Sequence, residues 1–574
     1  MAFDIVFSFG IIMIASTIVA LIARRFKQPL LFAYLITGVI IGPIGLALIS
    51  NTQDILVFSE LGVAFLLFAI GIESNFSKLF RMKYLIVFGS LLQVAVTTAI
   101  VFALMGVLGF GFIESLYVGL ILAFSSTVIA VKYLSDKNQI NTLHGRLIIG
   151  FAIVQDLVAV MLLPLLARPE TIFDIGLLSG FLIGLAVLFV LAVLLNKLLL
   201  PRLLKSNAKN QELFFLIVIS TGLGFMYVAN LVNFSIAVGA FIGGLTLSNL
   251  PYNTEALSRI RGLRDFFTTI FFVSLGMQLT LSIAAFPIAL AVLMFLTVYL
   301  LNPLIYYLIT YFAGYGSRNA LTVGLALEQA SEFSFILAAQ ALMLGQMSQG
   351  VYSVAILVIV VSMATTPYML ESSSKAYSFL HSVFKRLFPK YSSKKFNRKL
   401  KELEYLPKEE LEGHIVILGS GVFGNSVAAV LRNYATVVLI DHNPSNILSN
   451  IKKRLYSVYG NGESEEVWQK ANIEGAKIVI STIPDTRAAM SIIKRLREAN
   501  EKSVIFARAH NFEEALQMYK LGVESVIMPQ VLGSNECIRQ IQNFLNTGKT
   551  ISSKLKNEFI NYLKGKAALE RKYS

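Results

Sequence analysis

Cysteine is almost absent from the chain, which has Cys537 as its only one in 574 residues. No intrachain disulfide can form, and a metal site built from cysteines is not expected. Charged residues are also scarce, at 14%, while hydrophobic residues make up 56%; soluble domains have about 25% charged residues. With a mean hydropathy of +0.69, the composition predicts a polytopic membrane protein that carries an additional part.

Acidic residues are outnumbered by basic ones, 34 against 49, which gives a net charge of +15. In a membrane protein such a surplus is typical of cytoplasmic loops, so nucleic acid is not expected as a partner. Residues 1–23 lack a basic start and a small-residue cleavage site, and we interpret them as a first span rather than a removed signal.

Apolar stretches of about 20 residues, the length that crosses a bilayer as a helix, recur along residues 1–372. We interpret this region as a polytopic transmembrane domain. The thirteen predicted spans are residues 3–23, 29–49, 55–73, 84–110, 115–134, 145–167, 174–199, 212–231, 233–250, 264–281, 285–312, 319–344 and 350–371.

The basic residues between the spans predict an orientation, because Lys and Arg accumulate on the cytoplasmic side of a membrane. The links from even to odd spans contain only Arg168. The pattern places the N-terminus outside and the C-terminal part in the cytoplasm. We expect the chain to be a multi-pass protein of the plasma (inner) membrane. The links from odd to even spans contain Arg24, Arg25, Lys27, Lys78, Arg81, Lys83, Lys137, Lys205, Lys209, Arg259, Arg261 and Arg318.

A polar pair, Gln155–Asp156, lies inside the apolar sixth span. A carboxylate at the centre of a membrane helix costs about 2.5–3.5 kcal/mol on insertion scales. The bland alternative is an Asp capped by a neighbouring helix. We favour a role for Asp156 in binding an ion or a proton.

Two further spans contain polar residues in mid-membrane. In the fifth these are Ser125, Ser126 and Thr127, and in the twelfth they include Glu328 and Glu332. Ordinary hydrogen bonding between helices would explain either span alone. The two spans lie seven apart, however, so they cross in opposite directions, and each precedes one more span. This predicts two inverted six-span repeats joined by the seventh span, with discontinuous crossing helices at the binding site.

After the last span the chain becomes polar. Residues 373–412 form a basic cytoplasmic linker, which either is solvated or binds anionic membrane lipids. Residues 413–545 alternate buried strands with helices, which predicts a Rossmann-like α/β domain. Residues 546–574 form a basic C-terminal tail.

A glycine-rich turn, Gly419-Ser-Gly-Val-Phe-Gly424, follows the first strand of this domain and opens a helix. In that context the motif predicts dinucleotide binding, with the pyrophosphate at the helix N-terminus. Asp441 ends the next strand, where a carboxylate accepts hydrogen bonds from ribose hydroxyls. A packing turn without a ligand is the alternative. The residues expected at the nucleotide are Gly419, Gly421, Val422, Phe423, Gly424, Asp441 and His442.

The motifs together resemble the second monovalent cation/proton antiporter family, and within it the Kef-type potassium efflux proteins. The resemblance covers nearly the whole chain. It implies that residues 1–372 are a transmembrane cation/proton exchanger domain, and residues 413–545 resemble a KTN/RCK N-terminal lobe. The segments that carry it are residues 60–73, 125–127, 155–156, 238–245, 271–277 and 332–335.

This resemblance implies a homodimer, with Asp156 as the ion- and proton-binding carboxylate. It implies an adenine nucleotide, NAD(H) or AMP, as a regulatory ligand, with Gly460 and Asn461 at the second nucleotide-binding signature. Arg508 matches an arginine of the glutathione site in gated relatives, which leaves glutathione regulation open. An ancillary regulatory subunit is also left open.

Two positions depart from the family pattern. Asn302 stands where relatives often have a membrane lysine, and Glu328 adds a carboxylate where relatives are usually apolar. With no lysine and with Gln155 in place of a second acid, the sequence predicts one-for-one, electroneutral exchange. A second proton at Glu328 or Glu332 is the alternative.

The leading hypothesis is therefore a nucleotide-gated potassium/proton antiporter, and not an enzyme. Asp156 would bind a proton and a cation in turn. Gln155 and the backbone of Ser125–Thr127 would supply neutral oxygens as further ligands of the cation. The alternatives are a sodium/proton antiporter of the same fold, a gated potassium channel, and a nucleotide-sensing subunit with an inactive membrane part.

Overall fold

The computed structural model divides into two compact units, Met1–Lys399 and Leu400–Ser574. Each is described by itself. The described residues are 2–26, 28, 30–49, 53–73, 84–137, 139–167, 175–207, 210–232, 234–248, 250, 252–279, 288–371, 398–407, 409–483, 485–500, 502–548, 556–557 and 560.

The first unit consists of helices. They are α1 Ala2–Arg25, α2 Leu30–Ile41, α3 Gln53–Glu73, α4 Tyr84–Val107, α5 Phe112–Ala123, α6 Thr127–Asp136, α7 Leu143–Ala167, α8 Ile175–Leu194, α9 Leu200–Asn207, α10 Gln211–Leu231, α11 Ile236–Ser248, α12 Asn253–Met277, α13 Ile288–Leu296, α14 Asn302–Phe312, α15 Ser317–Ala326, α16 Glu332–Met343 and α17 Gln349–Glu371.

Each of the thirteen predicted spans coincides with a helical segment. The fifth and twelfth are interrupted, as α5–α6 and α15–α16, which confirms the prediction of discontinuous crossing helices. Short π-helical turns, Leu195–Leu199 and Thr297–Leu301, join α8 to α9 and α13 to α14. Within the described residues, seven helices are by themselves long and apolar enough to cross a membrane.

Some predicted features lie outside the described residues. They are Lys27, Lys78, Arg81, Lys83, Arg168, Lys209, residues 373–397 of the linker and most of the tail after residue 548.

Glycines allow close helix crossings in this unit. A Cβ atom on Gly71 of α3 would lie 2.9 Å from Gly244 Cα of α11, and one on Gly38 of α2 would lie 2.8 Å from Gly276 Cα of α12. Because the backbones meet directly, a side chain at any of these four glycines would separate the helices.

The second unit contains one sheet with helices around it. Its elements are α18 Arg398–Lys401, β1 Glu404–Tyr405, β2 Ile415–Leu418, α19 Val422–Leu431, β3 Val437–Asp441, α20 Pro444–Lys452, β4 Tyr456–Tyr459, α21 Glu465–Ala471, β5 Ile478–Ser481, α22 Thr486–Ala499, β6 Val504–Arg508, α23 Phe512–Lys520, β7 Ser525–Ile527 and α24 Pro529–Thr547.

The strand order is β1-β4-β3-β2-β5-β6-β7, and all neighbours are parallel except β1 and β4. The central strands β2 and β3 are buried along their whole length. The chain order reverses between β2 and β5, so a ligand crevice is expected at the carboxyl ends of these two strands.

Strand β1 comes from the segment that the sequence assigned to the linker. Lys470 of α21 holds it in place, with Nζ 2.5 Å from Glu404 Oε1 and 2.8 Å from Glu466 Oε1. Burial alone would lower the pKa of Lys470, but the hydrogen bonds to Glu404 and Glu466 raise it above its ordinary value.

Candidate functional site

The two interrupted spans meet at their breaks. Helix α5 ends at Ala123 and α6 begins at Thr127, while α15 ends at Ala326 and α16 begins at Glu332. Between them, Ser125 and Ala330 form an antiparallel β-bridge. The backbone groups released by the two breaks are thereby partly satisfied by each other, as buried peptide groups require in a membrane.

Side chains reinforce this crossing. Ser125 Oγ donates to Leu327 O at 2.6 Å, and Gln329 Nε2 donates to Ser126 O at 3.2 Å. Ser334 Oγ donates to Ile121 O at 2.6 Å. Each bond joins one interrupted span to the other, so the two breaks form one structural element.

Asp156 reaches the crossing from α7. Thr127 Oγ1, in the first turn of α6, donates to Asp156 Oδ2 at 2.6 Å. A hydroxyl donor favours an ionised carboxylate. The predicted neighbours Ser125, Ser126 and Thr127 therefore lie in the same cluster as the acid, although only Thr127 bonds to it among the described residues.

Glu332 has different partners. It is the first residue of α16 and is 7% exposed. Its carboxylate accepts from Ser126 Oγ at 3.1 Å and from Ser331 Oγ at 3.5 Å. An acid at this position also balances the partial positive charge of a helix N-terminus.

Gln155 faces the end of α5 rather than open space. Its Oε1 accepts from Ser125 N at 3.1 Å, and its Nε2 donates to Ala123 O at 3.1 Å and to Gln93 Oε1 at 2.5 Å. The sequence predicted that this oxygen would bind the cation. In the structure this oxygen accepts from a backbone amide, so Gln155 helps to position the break, and its role as a cation ligand stays a prediction.

Asn302 has a related position. Its Nδ2 donates to Leu122 O at 2.7 Å, and its Oδ1 accepts from Thr97 Oγ1 at 3.0 Å. The end of α5 is thus capped by neutral amides. Asn302 follows directly after the π-helical turn Thr297–Leu301, a feature that is frequent at functional sites.

Sequence reasoning missed two members of this network, Gln93 and Thr97 of α4. Both are fully buried, and Gln93 Nε2 donates to Ala123 O at 3.1 Å. Tyr306 OH donates to Gln93 Oε1 at 3.3 Å. The available signal was an amide side chain in the middle of the apolar fourth span.

Glu328 lies in the break between α15 and α16 and is fully buried. Neither of its carboxyl oxygens has a hydrogen-bond partner among the described residues. It therefore differs from Asp156, whose Oδ2 accepts a hydrogen bond, and from Glu332, whose two oxygens both accept one.

The glycine-rich turn of the second unit has the predicted form. Gly419 has a φ of +95°, and a Cβ on Gly424 would lie 2.0 Å from Gly419 O. A Cβ on Gly421 would meet no described atom within 4 Å. Helix α19 starts at Val422 without a side-chain cap, so the first amides of Val422, Phe423 and Gly424 are suited to an anion.

Asp441 is bonded to this turn. Its Oδ2 accepts from Ser420 N at 2.7 Å and from Asn446 Nδ2 at 2.9 Å, while its Oδ1 accepts from Asn443 N at 2.7 Å. The carboxylate thus holds the glycine turn in place. Any ribose contact would have to share these oxygens.

The other candidate nucleotide residues lie at the same edge of the sheet. His442 is exposed beside Asp441, and Gly460 and Asn461 follow β4. Asn461 Oδ1 accepts from Glu463 N at 3.1 Å. Arg508 ends β6, two strands away from β2, and its buried Nε has no described partner.

Comparison with known proteins identifies both units. Residues 12–371 match the family described as "Sodium/hydrogen exchanger, transmembrane", and residues 415–529 match the TrkA-N domain. The putative cation/proton antiporter YbaL of Escherichia coli K12 is 28% identical over 93% of this chain and 96% of its own length. The glutathione-regulated potassium-efflux protein KefC of E. coli O17:K52:H18 is 26% identical over 89% of this chain and 80% of its own.

Solved structures give further matches. The TrkA-N domain of YbaL from E. coli is 26% identical, with a TM-score of 0.22, and covers 23% of this chain and 98% of that one. The sodium/proton antiporter NhaP1 of Methanocaldococcus jannaschii is 16% identical, with a TM-score of 0.47, and covers 66% and 97%.

The family matches confirm the resemblance to cation/proton antiporters that carry a C-terminal TrkA-N domain. They also confirm the predicted combination of a polytopic helical domain with a Rossmann-like domain. The chain belongs to the sodium/hydrogen exchanger family, as a multi-pass cation/proton antiporter with a C-terminal TrkA-N domain of the nucleotide-binding Rossmann type.

Proposed function

We propose that this antiporter exchanges potassium for protons and that Asp156 is the group that binds them in turn. The observation that supports it is the carboxylate of α7 beside two helix breaks, with Thr127 Oγ1 2.6 Å from Asp156 Oδ2. A buried carboxylate needs a proton or a cation for charge balance. The two species then compete for one group, which is the basis of exchange.

The cation would lose most of its water at such a site. Asp156 supplies one charged ligand, and backbone carbonyls of Ser125–Thr127 supply neutral ones. A large, weakly hydrated cation such as potassium suits this set. Sodium is the alternative within the same fold.

A potassium channel is disfavoured by the local structure. The stretch most similar to a selectivity filter, Leu321-Thr-Val-Gly-Leu325, lies inside helix α15, Ser317–Ala326. A filter requires extended backbone whose carbonyls line a pore. An inactive membrane part is disfavoured by the bonded arrangement of Asp156, Thr127 and Gln155.

The test is cation-dependent proton flux in proteoliposomes that contain the full chain. Potassium is expected to drive proton movement more effectively than sodium, and Asp156→Asn is expected to abolish exchange while the protein remains folded. Substantial exchange by the variant would contradict the proposal. A preference for sodium would change the cation assigned to this site and would leave the proposed competition at Asp156 unchanged.

Regulation is assigned to the second unit. We infer that an adenine nucleotide, NAD(H) or AMP, binds at Gly419–Gly424 and Asp441 and alters exchange by the membrane unit. Arg508 is the candidate contact for glutathione. Added separately to the proteoliposome assay, NADH, AMP and glutathione distinguish these ligands by their effect on flux.

The surroundings of the protein follow from the charge pattern and the family. We infer an inner-membrane location with the N-terminus outside and the second unit in the cytoplasm. A homodimer, contacts of the basic linker with anionic lipids, and an ancillary subunit complete the proposal. Crosslinking in native membranes tests the first and the last of these.

A further inference from the structure

Glu328 is a buried acid that takes no part in the exchange proposed at Asp156. Its side chain is fully inaccessible, and both carboxyl oxygens lack a donor among the described residues. It forms no ion pair there either. An ionised carboxylate in this environment would carry a desolvation penalty of several kcal/mol with nothing to offset it.

The two neighbouring acids provide the contrast. Asp156 accepts from Thr127, and Glu332 accepts from Ser126 and Ser331. Both are arranged for negative charge. Although Glu328 is only four residues before Glu332, it lies in the break itself and shares none of these donors.

The groups around Glu328 belong to other elements of the membrane unit. Tyr299, in the π-helical turn before α14, interacts with it electrostatically, and Tyr299 OH is hydrogen-bonded to Thr365 of α17 at 2.6 Å. Ser362 of α17 bonds to Ala330 N at 3.3 Å. Asp156 interacts electrostatically with Glu332 across the crossing. Among the described residues, no hydrogen bond joins Glu328 to Asp156 or to its donor Thr127.

A proton fits this site better than a cation. A bare monovalent cation requires several oxygen ligands at once, whereas a proton requires one. Two hydroxyls of nearby elements are bonded elsewhere: Tyr299 OH is hydrogen-bonded to Thr365, and Ser362 donates to Ile359 O at 2.8 Å. A protonated carboxyl group is neutral and removes the penalty by itself.

We propose that Glu328 is a second proton-binding site, which takes up and releases one proton in each cycle, so that two protons move against each cation. This inference rests on the proposed exchange at Asp156. Glu328 lies in the segment that bridges to Ser125, so a rearrangement of the crossing that exposes Asp156 also changes the surroundings of Glu328. It would replace the one-for-one stoichiometry that the sequence predicted.

The stoichiometry can be measured directly. Proteoliposomes with the full chain are given a fixed pH gradient of about one unit, with the membrane potential held at zero by a chloride ionophore and equal chloride. The cation gradient at which proton flux stops is then determined. One-for-one exchange balances at about a tenfold cation gradient, and two protons per cation balance at about a hundredfold gradient.

Wild type is expected to balance near the hundredfold gradient, and Glu328→Gln near the tenfold one. Glu328→Leu serves as a second variant, because an acid without partners can be replaced by an apolar side chain without losing a hydrogen bond. Tyr352→Phe is the matched control: Tyr352 OH is equally buried and unpartnered among the described residues, and this variant is expected to keep the wild-type ratio.

A tenfold balance in wild type, or a ratio unchanged in both Glu328 variants, would overturn the inference. Wild type without any cation-dependent proton flux would instead refute the proposed exchange itself. The two failures are therefore distinguishable in the same assay.

Discussion

The hydroxyl of Thr127 donates a 2.6 Å hydrogen bond to Asp156 Oδ2, which joins the start of helix α6 to the acid of α7. A cation binds only to the ionised carboxylate. This bond stabilises that form, because a hydrogen bond to a charged group contributes about 1.5–3 kcal/mol. Under the exchange proposed at Asp156, we therefore expect Thr127 to influence how readily a cation replaces the proton.

Thr127→Val is expected to lower the apparent cation affinity about tenfold or more and to move the onset of exchange to more alkaline pH. The reason is that the ionised form of Asp156 loses its donor. Thr127→Ser keeps the hydroxyl and serves as the control. Cation titrations of proton flux at several pH values measure both effects, and identical curves for Val and wild type would exclude this role.

Asn302→Ala is expected to destabilise the membrane unit by about 1–3 kcal/mol, because the buried carbonyl of Leu122 loses its partner. The matched control is Thr310→Val on the same helix, where the buried hydroxyl has no partner among the described residues. Thermal unfolding in detergent compares them. Equal melting temperatures would show that the amide cap is dispensable.

Asp441→Ala is expected to weaken adenine-nucleotide binding by about 1.5–3 kcal/mol and to leave exchange without nucleotide unchanged. The Asp441 carboxylate accepts from Ser420 N at 2.7 Å. Loss of the carboxylate would release the glycine turn and remove the expected hydrogen bonds to the ribose. Calorimetry of the full chain with NADH and AMP measures the change. Glu513→Gln, an exposed acid of the same unit, is the control. Unchanged affinity in Asp441→Ala would reduce the glycine motif to a packing turn.

His414 gives the second unit a dependence on pH. Burial lowers the pKa of His414 below its ordinary value of 6.5, although the bond between Nε2 and Ala471 O opposes this. The unfolded chain therefore binds a proton at a higher pH than the folded one. Stability should be fully present above the ordinary value and fall as the pH drops below it.

The protection factors of the β2 and β5 amides in the full chain, which are exchange rates corrected for the intrinsic pH dependence, should fall below about pH 6. His414→Gln is expected to remove this dependence, whereas the exposed His442→Gln is expected to retain it. Exchange rates that stay parallel between wild type and His414→Gln over the whole pH range would contradict the assignment.

The parts of the fold that sequence predicts best are those set by local composition. The thirteen spans follow from apolar runs, and the two breaks follow from Ser125–Thr127 and from the polar residues around Glu332. The strand–glycine–helix pattern at Gly419 likewise depends on neighbours in the chain.

The missed features depend on contacts between distant residues. Gln93 and Thr97 look like isolated polar residues until α4 is placed beside the end of α5. The bond between Ser125 N and Gln155 Oε1 likewise joins residues that are 30 positions apart in the chain. The two-residue strand β1 is too short to give a period and is defined by its pairing with β4.

The pairing of β1 with β4 attaches the start of the second unit to the edge of its sheet. Glu404 and Tyr405 align with Val458 and Ser457 of β4, and these are among the first described residues after the chain leaves α17. Two residue pairs and the Lys470–Glu404 contact hold this strand to the rest of the second unit. Strand β4 ends at Tyr459, directly before Gly460 and Asn461. The strand that pairs with β1 therefore leads directly into two residues of the candidate nucleotide site.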